Sequence, residues 1–163
     1  MGSGKTAVAK ELARDFGLAF LDMDNEIAKL AKMPVPMIFN NFGEGHFRCL
    51  EYTLCQNLGN QIDSPTVVAT GGGVVLDSRN TEALKRLGVI IYLKASPVLL
   101  SQRLEGDASR PLLPLENKIG KISALLAERR GLYEKAADFT VNTEGRTPAK
   151  IAGIIKKEAE KWV

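Results

Sequence analysis

The chain has 163 residues, a length typical of one domain that folds without disulfides or a structural metal. Its hydrophobic fraction of 45% and charged fraction of 25% are ordinary for a globular protein, and its net charge of +3 is too small to indicate nucleic-acid binding. Without an apolar run of membrane-spanning length or a signal peptide, we expect a cytoplasmic monomer that binds neither membrane nor nucleic acid.

Four short apolar runs are predicted to be β-strands: Leu18–Asp22, Thr66–Thr70, Val89–Leu93 and Phe139–Asn142. They are apolar throughout rather than alternating, which is typical of parallel strands covered on both faces. Helical patterns lie between them, including Ser3–Phe16, a helix from Asp77 to Leu87, and helices opened by Ser96-Pro97 and Thr147-Pro148. Strands that alternate with helices predict an α/β fold with a parallel sheet.

The first helix is preceded by Gly2-Ser3-Gly4-Lys5-Thr6, a pattern typical of phosphate-binding loops. Glycines let backbone N–H groups surround phosphate oxygens, Lys5 can reach the β- and γ-phosphates, and the Thr6 hydroxyl can ligate Mg²⁺. A chance match at a flexible terminus is the alternative. The amphipathic helix that follows at once favours the phosphate loop.

The loop contains only the second half of the pattern G-x-x-x-x-G-K-[ST]. The first glycine would lie before Met1, and so would the strand that usually leads into such a loop. Each buried backbone group left unpaired by a missing strand costs about 1–3 kcal/mol. We therefore expect the first strand to be missing, through a misplaced start or a trimmed sequence.

Two aspartates come at the end of the first predicted strand. Alternation along a strand would place Asp22 and Asp24 on one face at its carboxyl end, where ligands bind in parallel α/β sheets. Beside a phosphate loop, one carboxylate can help to hold Mg²⁺ and the other can accept a hydrogen bond from an attacking hydroxyl. The alternative is that Asp24 or Asn25 caps the next helix.

Two further motifs are suited to a carboxylate-bearing substrate. Arg48 and Glu51 are three residues apart on a predicted helix, so the glutamate can fix a guanidinium that grips a carboxylate. An ordinary surface ion pair is the alternative. Gly71-Gly72-Gly73 follows the second strand, where glycines let the backbone approach a ligand closely, or form a tight turn without one.

These motifs together resemble those of shikimate kinase, in the family's order and over nearly the whole chain. The matching pieces are MGSGKT, LDMDNEI, IFNNFGEGHFRCLE, ATGGGVV, SRPLL and ERRGLYEKAAD. The resemblance implies a three-layer P-loop kinase fold around a central parallel sheet of five strands, the first of them missing here. It also implies one domain over residues 1–163, with a substrate-binding region at about 23–62 and a lid loop at about 106–115.

The resemblance further implies transfer of the γ-phosphate of ATP to the 3-hydroxyl of shikimate, with Mg²⁺, in aromatic amino-acid biosynthesis. The residues matching catalytic positions are Lys5, Asp24 and Arg110. Those matching ATP-binding positions are Gly2, Ser3, Gly4, Lys5, Thr6, Arg103, Arg110, Arg146 and Pro148, and those matching the magnesium site are Thr6 and Asp22. The residues matching shikimate-binding positions are Asp24, Phe39, Phe47, Arg48, Gly71, Gly72, Gly73 and Arg129.

Two alternatives remain at this point. Another small-metabolite P-loop kinase, such as a gluconate or nucleotide kinase, is disfavoured because Asp24, Arg48 and Arg129 occur together with the glycine triplet. A non-catalytic relative that keeps the fold is favoured by the incomplete phosphate loop. The presence of Lys5, Asp24 and Arg110 counts against it.

Overall fold

The computed structural model describes residues 2–103 and 118–161, and these form strands alternating with helices. The strands are β1 (Ala19–Asp22), β2 (Thr66–Ala69), β3 (Ile91–Lys94) and β4 (Phe139–Asn142). The helices are α1 (Lys5–Phe16), α2 (Met23–Ala31), α3 (Val35–Asn57), α4 (Ser78–Leu87), α5 (Pro97–Arg103), α6 (Lys118–Ala136) and α7 (Pro148–Ala159). All four predicted strands are confirmed, with boundaries that shift by two residues at most.

Local capping signals set several of these helix ends as predicted. The Asp77 carboxylate accepts a hydrogen bond from the Arg79 amide at 3.0 Å, and α4 ends before Gly88. The Thr147 hydroxyl accepts one from the Lys150 amide at 3.4 Å, with Pro148 as the first residue of α7.

The strands are parallel, as predicted, but they form two separate pairs. β1 pairs with β2 in the register Ala19–Thr66, and β3 pairs with β4 in the register Ile91–Phe139. Within residues 2–103 and 118–161, no hydrogen-bonded ladder joins β2 to β3. A cleft of about 590 Å³ lies between these two strands. The expected single central sheet is therefore divided.

Helices cover both faces of β2. Adjacent residues of a strand point to opposite faces. Val67 packs against a buried cluster formed largely by α1 and α7, whereas Val68 packs against a second cluster formed largely by α2 and α3. Among the described residues, no helix is long and apolar enough to cross a membrane.

Candidate active site

The loop before α1 has the backbone conformation that its glycines predict. Gly2 and Gly4 have φ angles of 68° and 84°, in the left-handed region that favours glycine. The helix begins at Lys5 and carries no acidic residue in its first turn. The positive end of the α1 dipole is therefore left available to an anion at the loop.

Thr6 and Asp22, the predicted magnesium residues, are brought into direct contact. The Thr6 hydroxyl donates a hydrogen bond to Asp22 Oδ2 at 2.9 Å. Asp22 Oδ1 accepts from the amides of Asp24 at 3.1 Å and Asn25 at 3.4 Å, so Asp22 is the N-cap of α2. The suggestion that Asp24 or Asn25 makes this cap was wrong.

The placement of Asp24 by strand alternation was also wrong. α2 begins at Met23, immediately after β1, so Asp24 lies in the first turn of the helix and not on the strand. It nevertheless stays at the carboxyl edge of β1, exposed and two residues from the Asp22 carboxylate that contacts the phosphate loop.

The chemistry of the Thr6–Asp22 pair fits Mg²⁺. No group of three or more His, Cys, Asp or Glu side chains that could hold a metal occurs in the described part of the chain. Magnesium, however, is commonly held by one or two protein oxygens together with substrate phosphates and water. A hydroxyl and a carboxylate beside the loop provide oxygen donors of this kind.

Arg48 is held by two glutamates on the same helix. Its Nη1 donates to Glu51 Oε2 and its Nη2 to Glu44 Oε1, both at 2.8 Å. Burial lowers the pKa of Arg48, but the bonds to the two carboxylates outweigh it and raise this pKa. Since the Glu51 side chain is only 1% exposed, the pair is not an ordinary surface ion pair.

The glycine triplet brings these groups close to Asp24. A Cβ atom at Gly71 would lie 3.0 Å from Glu51 Oε1 and 3.1 Å from Asp24 Oδ1. A Cβ atom at Gly73 would overlap the Arg48 guanidinium. Gly71 and Gly73 therefore permit a close packing of polar side chains, beyond the needs of a turn.

Tyr133 connects the glycine triplet to α6, a link that the sequence did not indicate. Its hydroxyl donates to the Gly72 carbonyl at 2.6 Å, and its ring stacks on Tyr92 with centroids 5.1 Å apart. Burial raises the pKa of Tyr133, whereas the nearby Arg129 lowers it. Because this bond joins residues 61 positions apart, no local pattern in the sequence could have suggested it.

Arg129 has a buried hydrogen-bond donor, and it lies near Tyr133 on α6. Its Nε atom is buried and has no hydrogen-bond partner among the described residues. A buried, unsatisfied cationic donor is costly, and an anionic ligand would relieve that cost.

The remaining predicted residues fall into two groups. Phe39 and Phe47 pack with ring centroids 4.8 Å apart, and the guanidinium carbon of Arg48 lies 5.2 Å from the Phe47 ring. This aromatic pair therefore adjoins Arg48. α3 is kinked at Gly43, between the two phenylalanines, where the φ angle of 79° is not helical.

The second group comprises the predicted nucleotide-binding residues outside the phosphate loop, of which Arg103 contacts the loop directly. Arg103 Nη1 donates to the Ser3 carbonyl at 3.1 Å, and Arg146 Nη1 donates to the Asn142 carbonyl at 2.6 Å. Pro148 opens α7 nearby in the chain. Arg110 and the predicted lid loop at 106–115 lie outside the described residues.

We expect the Glu51→Gln variant to lose a pH dependence of stability that the native chain has. Burial raises the Glu51 pKa above its usual 4.5, although Arg48 lowers it. The folded carboxyl therefore binds its proton at higher pH than the unfolded one. As pH falls towards 4.5, the free energy of unfolding should rise in the native chain relative to the variant.

Urea unfolding of both proteins between about pH 7 and pH 4 would measure this difference. Glu44→Gln is the matched control, because it removes the more exposed carboxylate partner of the same arginine. Parallel stability curves for the native chain and Glu51→Gln would contradict the expectation.

Comparisons with known proteins agree with this geometry. The sequence profile of the family described as shikimate kinase matches residues 1–160. The chain is 44% identical over 161 residues to the shikimate kinase of Thermodesulfovibrio yellowstonii, covering 99% of this chain and 91% of the relative. It is 45% identical over 155 residues to that of Desulforudis audaxviator, covering 95% and 80% of the two chains.

A solved structure gives the same result in three dimensions. The shikimate kinase from Acinetobacter baumannii in complex with shikimate superposes with a TM-score of 0.93 and 36% identity. The match covers 99% of this chain and 89% of that protein. With sequence, fold and motif order in agreement, the chain belongs to the shikimate kinase family.

Proposed function

We propose that this protein transfers the γ-phosphoryl group of ATP to the 3-hydroxyl of shikimate, giving shikimate 3-phosphate for aromatic amino-acid biosynthesis. The observation that carries the proposal is the meeting of Asp24, Arg48 and the glycine triplet beside the phosphate loop. A carboxylate that can bind the substrate hydroxyl and a guanidinium that can bind the substrate carboxylate are the groups that recognition of a hydroxy acid requires. The complex of the A. baumannii relative with shikimate supports this choice of acceptor.

At the nucleotide end, the loop at Gly2–Thr6 and the start of α1 surround the phosphates of ATP. Lys5 neutralises charge on the transferring group, and the family motif assigns Arg103, Arg146 and Pro148 to the adenine end of the nucleotide. Thr6 and Asp22 would hold Mg²⁺, which neutralises phosphate charge when it is bound. Arg110, in the lid loop, is assigned to the transferring phosphate from the family motif.

At the acceptor end, Asp24 accepts a hydrogen bond from the attacking hydroxyl and orients it towards the phosphate. Arg48 and Arg129 bind the substrate carboxylate through charge-assisted hydrogen bonds. Phe39 and Phe47 form the apolar wall beside Arg48. The triplet Gly71–Gly73 contributes backbone donors, and at Gly71 and Gly73 an added side chain would crowd Asp24, Glu51 or Arg48.

The proposal is tested by following ADP release from ATP in the presence and absence of shikimate, with and without Mg²⁺. We expect release that depends on both. Gluconate and nucleoside monophosphates are the control acceptors, and turnover with either in place of shikimate would assign a different kinase activity. Nucleotide binding without acceptor-dependent release would indicate a non-catalytic relative.

We expect Tyr133→Phe to raise the KM for shikimate by roughly 5–10-fold while kcat stays nearly unchanged. The change leaves the Gly72 carbonyl without its donor, a loss of about 1 kcal/mol, but keeps the ring that stacks on Tyr92. Steady-state kinetics with shikimate as the varied substrate would measure it. Tyr52→Phe is the control, since Tyr52 lies on α3 beneath Arg79. An equal rise in the KM for shikimate in both variants, or a fall in kcat alone, would show that Tyr133 does not have this role.

A further inference from the structure

Helix α3 is kinked at Gly43, an exposed residue with φ and ψ angles of 79° and 174°. This combination of angles is essentially restricted to glycine, because other residues are strained there by their own side chains. In the described part of the chain, a Cβ atom at Gly43 would meet no neighbouring group within 4 Å. The position therefore requires glycine for its backbone conformation, and not because space is short.

The kink brings two aromatic side chains of α3 together. Phe39 and Phe47 lie on either side of Gly43 in the chain, and their ring centroids are 4.8 Å apart. In a straight helix, residues at this separation in sequence would be about 12 Å apart along the axis and would point in directions roughly 80° apart. Two rings so placed would not come into contact. The apolar wall beside Arg48 therefore depends on the turn of the helix between them.

The segment of α3 after the kink is fixed by polar contacts. Arg48 bonds to Glu44 and Glu51 at the spacings of four and three residues that a regular helix brings together. The Arg48 guanidinium also lies so close to the glycine triplet that a Cβ atom at Gly73 would be 2.3 Å from its Nη1. With this segment held in place, the direction of the segment before the kink decides where the Phe39 ring lies.

We propose that Gly43 is a positioning residue for the acceptor, because its positive φ turns the first segment of α3 back and sets the Phe39 ring against Phe47. The inference rests on the proposed function and adds a determinant of acceptor specificity to it. An apolar wall beside Arg48 fits the ring of a cyclic carboxylate, whose apolar face it covers. An open-chain polyhydroxy acid would have to bury hydroxyl groups against the same wall, which is unfavourable without hydrogen-bond partners.

Gly43→Ala should raise the KM for shikimate by roughly 5–100-fold, with kcat and the KM for ATP nearly unchanged. Alanine has room at this position but disfavours its backbone angles, so the kinked state becomes less populated in the free protein. The apparent affinity for the acceptor falls with that population, whereas saturating shikimate restores the kink and therefore kcat. Steady-state kinetics with each substrate varied in turn would measure this split between KM and kcat.

Gly45→Ala is the matched control, because it makes the same exchange two residues later in the same helix. Gly45 is also exposed and also has free space at its Cβ position, but it does not have a positive φ. The KM for shikimate should stay at the native value. The midpoint of thermal unfolding should rise slightly, since alanine is the better helix former.

Gly43→D-Ala is the rescue variant, because the mirror image of the Gly43 angles is ordinary extended backbone, so D-alanine adopts these angles without strain. Native chemical ligation at the exposed Cys49 gives this protein by joining synthetic residues 1–48 to expressed residues 49–163. The KM for shikimate should return to the native value. A folded Gly43→D-Ala protein with a raised KM would overturn the proposal, even where Gly43→Ala does not fold.

Contact between the two rings provides a readout that does not depend on activity. Nuclear Overhauser effects between the ring protons of Phe39 and Phe47 should be present in the native chain, in Gly45→Ala and in Gly43→D-Ala, and weakened in ligand-free Gly43→Ala. An unchanged KM in Gly43→Ala, or an equal rise in Gly45→Ala, would contradict the positioning role. A native chain that keeps the ring contact but does not phosphorylate shikimate would count against the proposed function, and the ring contact alone would then decide whether Gly43 builds the wall.

Discussion

Asp24→Asn should lower kcat for shikimate phosphorylation by roughly 10²–10⁴-fold, the usual effect of removing a group that orients and accepts a proton. Asparagine keeps the size of the side chain beside Gly71 but cannot accept the proton of the attacking hydroxyl. Asp24 lies in the first turn of α2 and is exposed, so substrate can reach it. The KM for ATP should change little, because Thr6 and Asp22 are intact.

Glu26→Gln is the matched control for this variant. Glu26 lies in the same turn of α2 and pairs with Lys29 at 2.7 Å, so the change removes one negative charge from the same helix end. Rapid-quench or steady-state measurement of ADP release would compare the two. A loss of kcat in Asp24→Asn no larger than in Glu26→Gln would show that Asp24 has no part in the chemistry.

Arg48→Lys should raise the KM for shikimate by roughly 10–150-fold, the equivalent of one charge-assisted hydrogen bond of about 1.5–3 kcal/mol. Lysine keeps the positive charge beside the buried Glu51, so the fold should survive. It cannot present the planar pair of donors with which arginine holds a carboxylate. The affinity for ATP should be unaffected.

Arg79→Lys provides the comparison on α4, where the arginine side chain is 66% exposed and pairs with Asp77. Titration of shikimate against each variant, by calorimetry or by kinetics, would measure the difference. Urea unfolding of the same samples would confirm that both are folded. Unchanged shikimate affinity in Arg48→Lys would mean that Arg48 serves only to neutralise Glu51 and Glu44.

The parts of the fold that sequence predicted well depend on local signals. The limits of α4 follow from Asp77 and Gly88, and the start of α7 from Thr147-Pro148. The four strands were found because they are short apolar runs between helices. Their division into two pairs depends on which distant segments meet, and composition does not carry that information.

The sequence suggested which residues belong to the candidate site, but it did not predict how they are arranged. The alternation in Leu21-Asp22-Met23-Asp24 suggested a continuing strand, but the Asp22 side chain bonds the next amides and starts a helix instead. The bond from Tyr133 to Gly72 joins residues 61 positions apart, which no periodicity reveals. The glycine triplet indicated a close approach, but only the structure identifies Glu51, Asp24 and Arg48 as the side chains concerned.

The crowding around Gly71 and Gly73 also constrains which substitutions this site can accept one at a time. Any side chain at position 73 would collide with Arg48, and one at position 71 would press on the carboxylates of Asp24 and Glu51. A side chain at either glycine therefore requires a neighbouring side chain to move, and replacing Arg48 with an uncharged residue would leave the buried Glu51 without a cation. Substitutions at positions 48, 71 and 73 should therefore have energetically coupled rather than additive effects, because these residues share contacts.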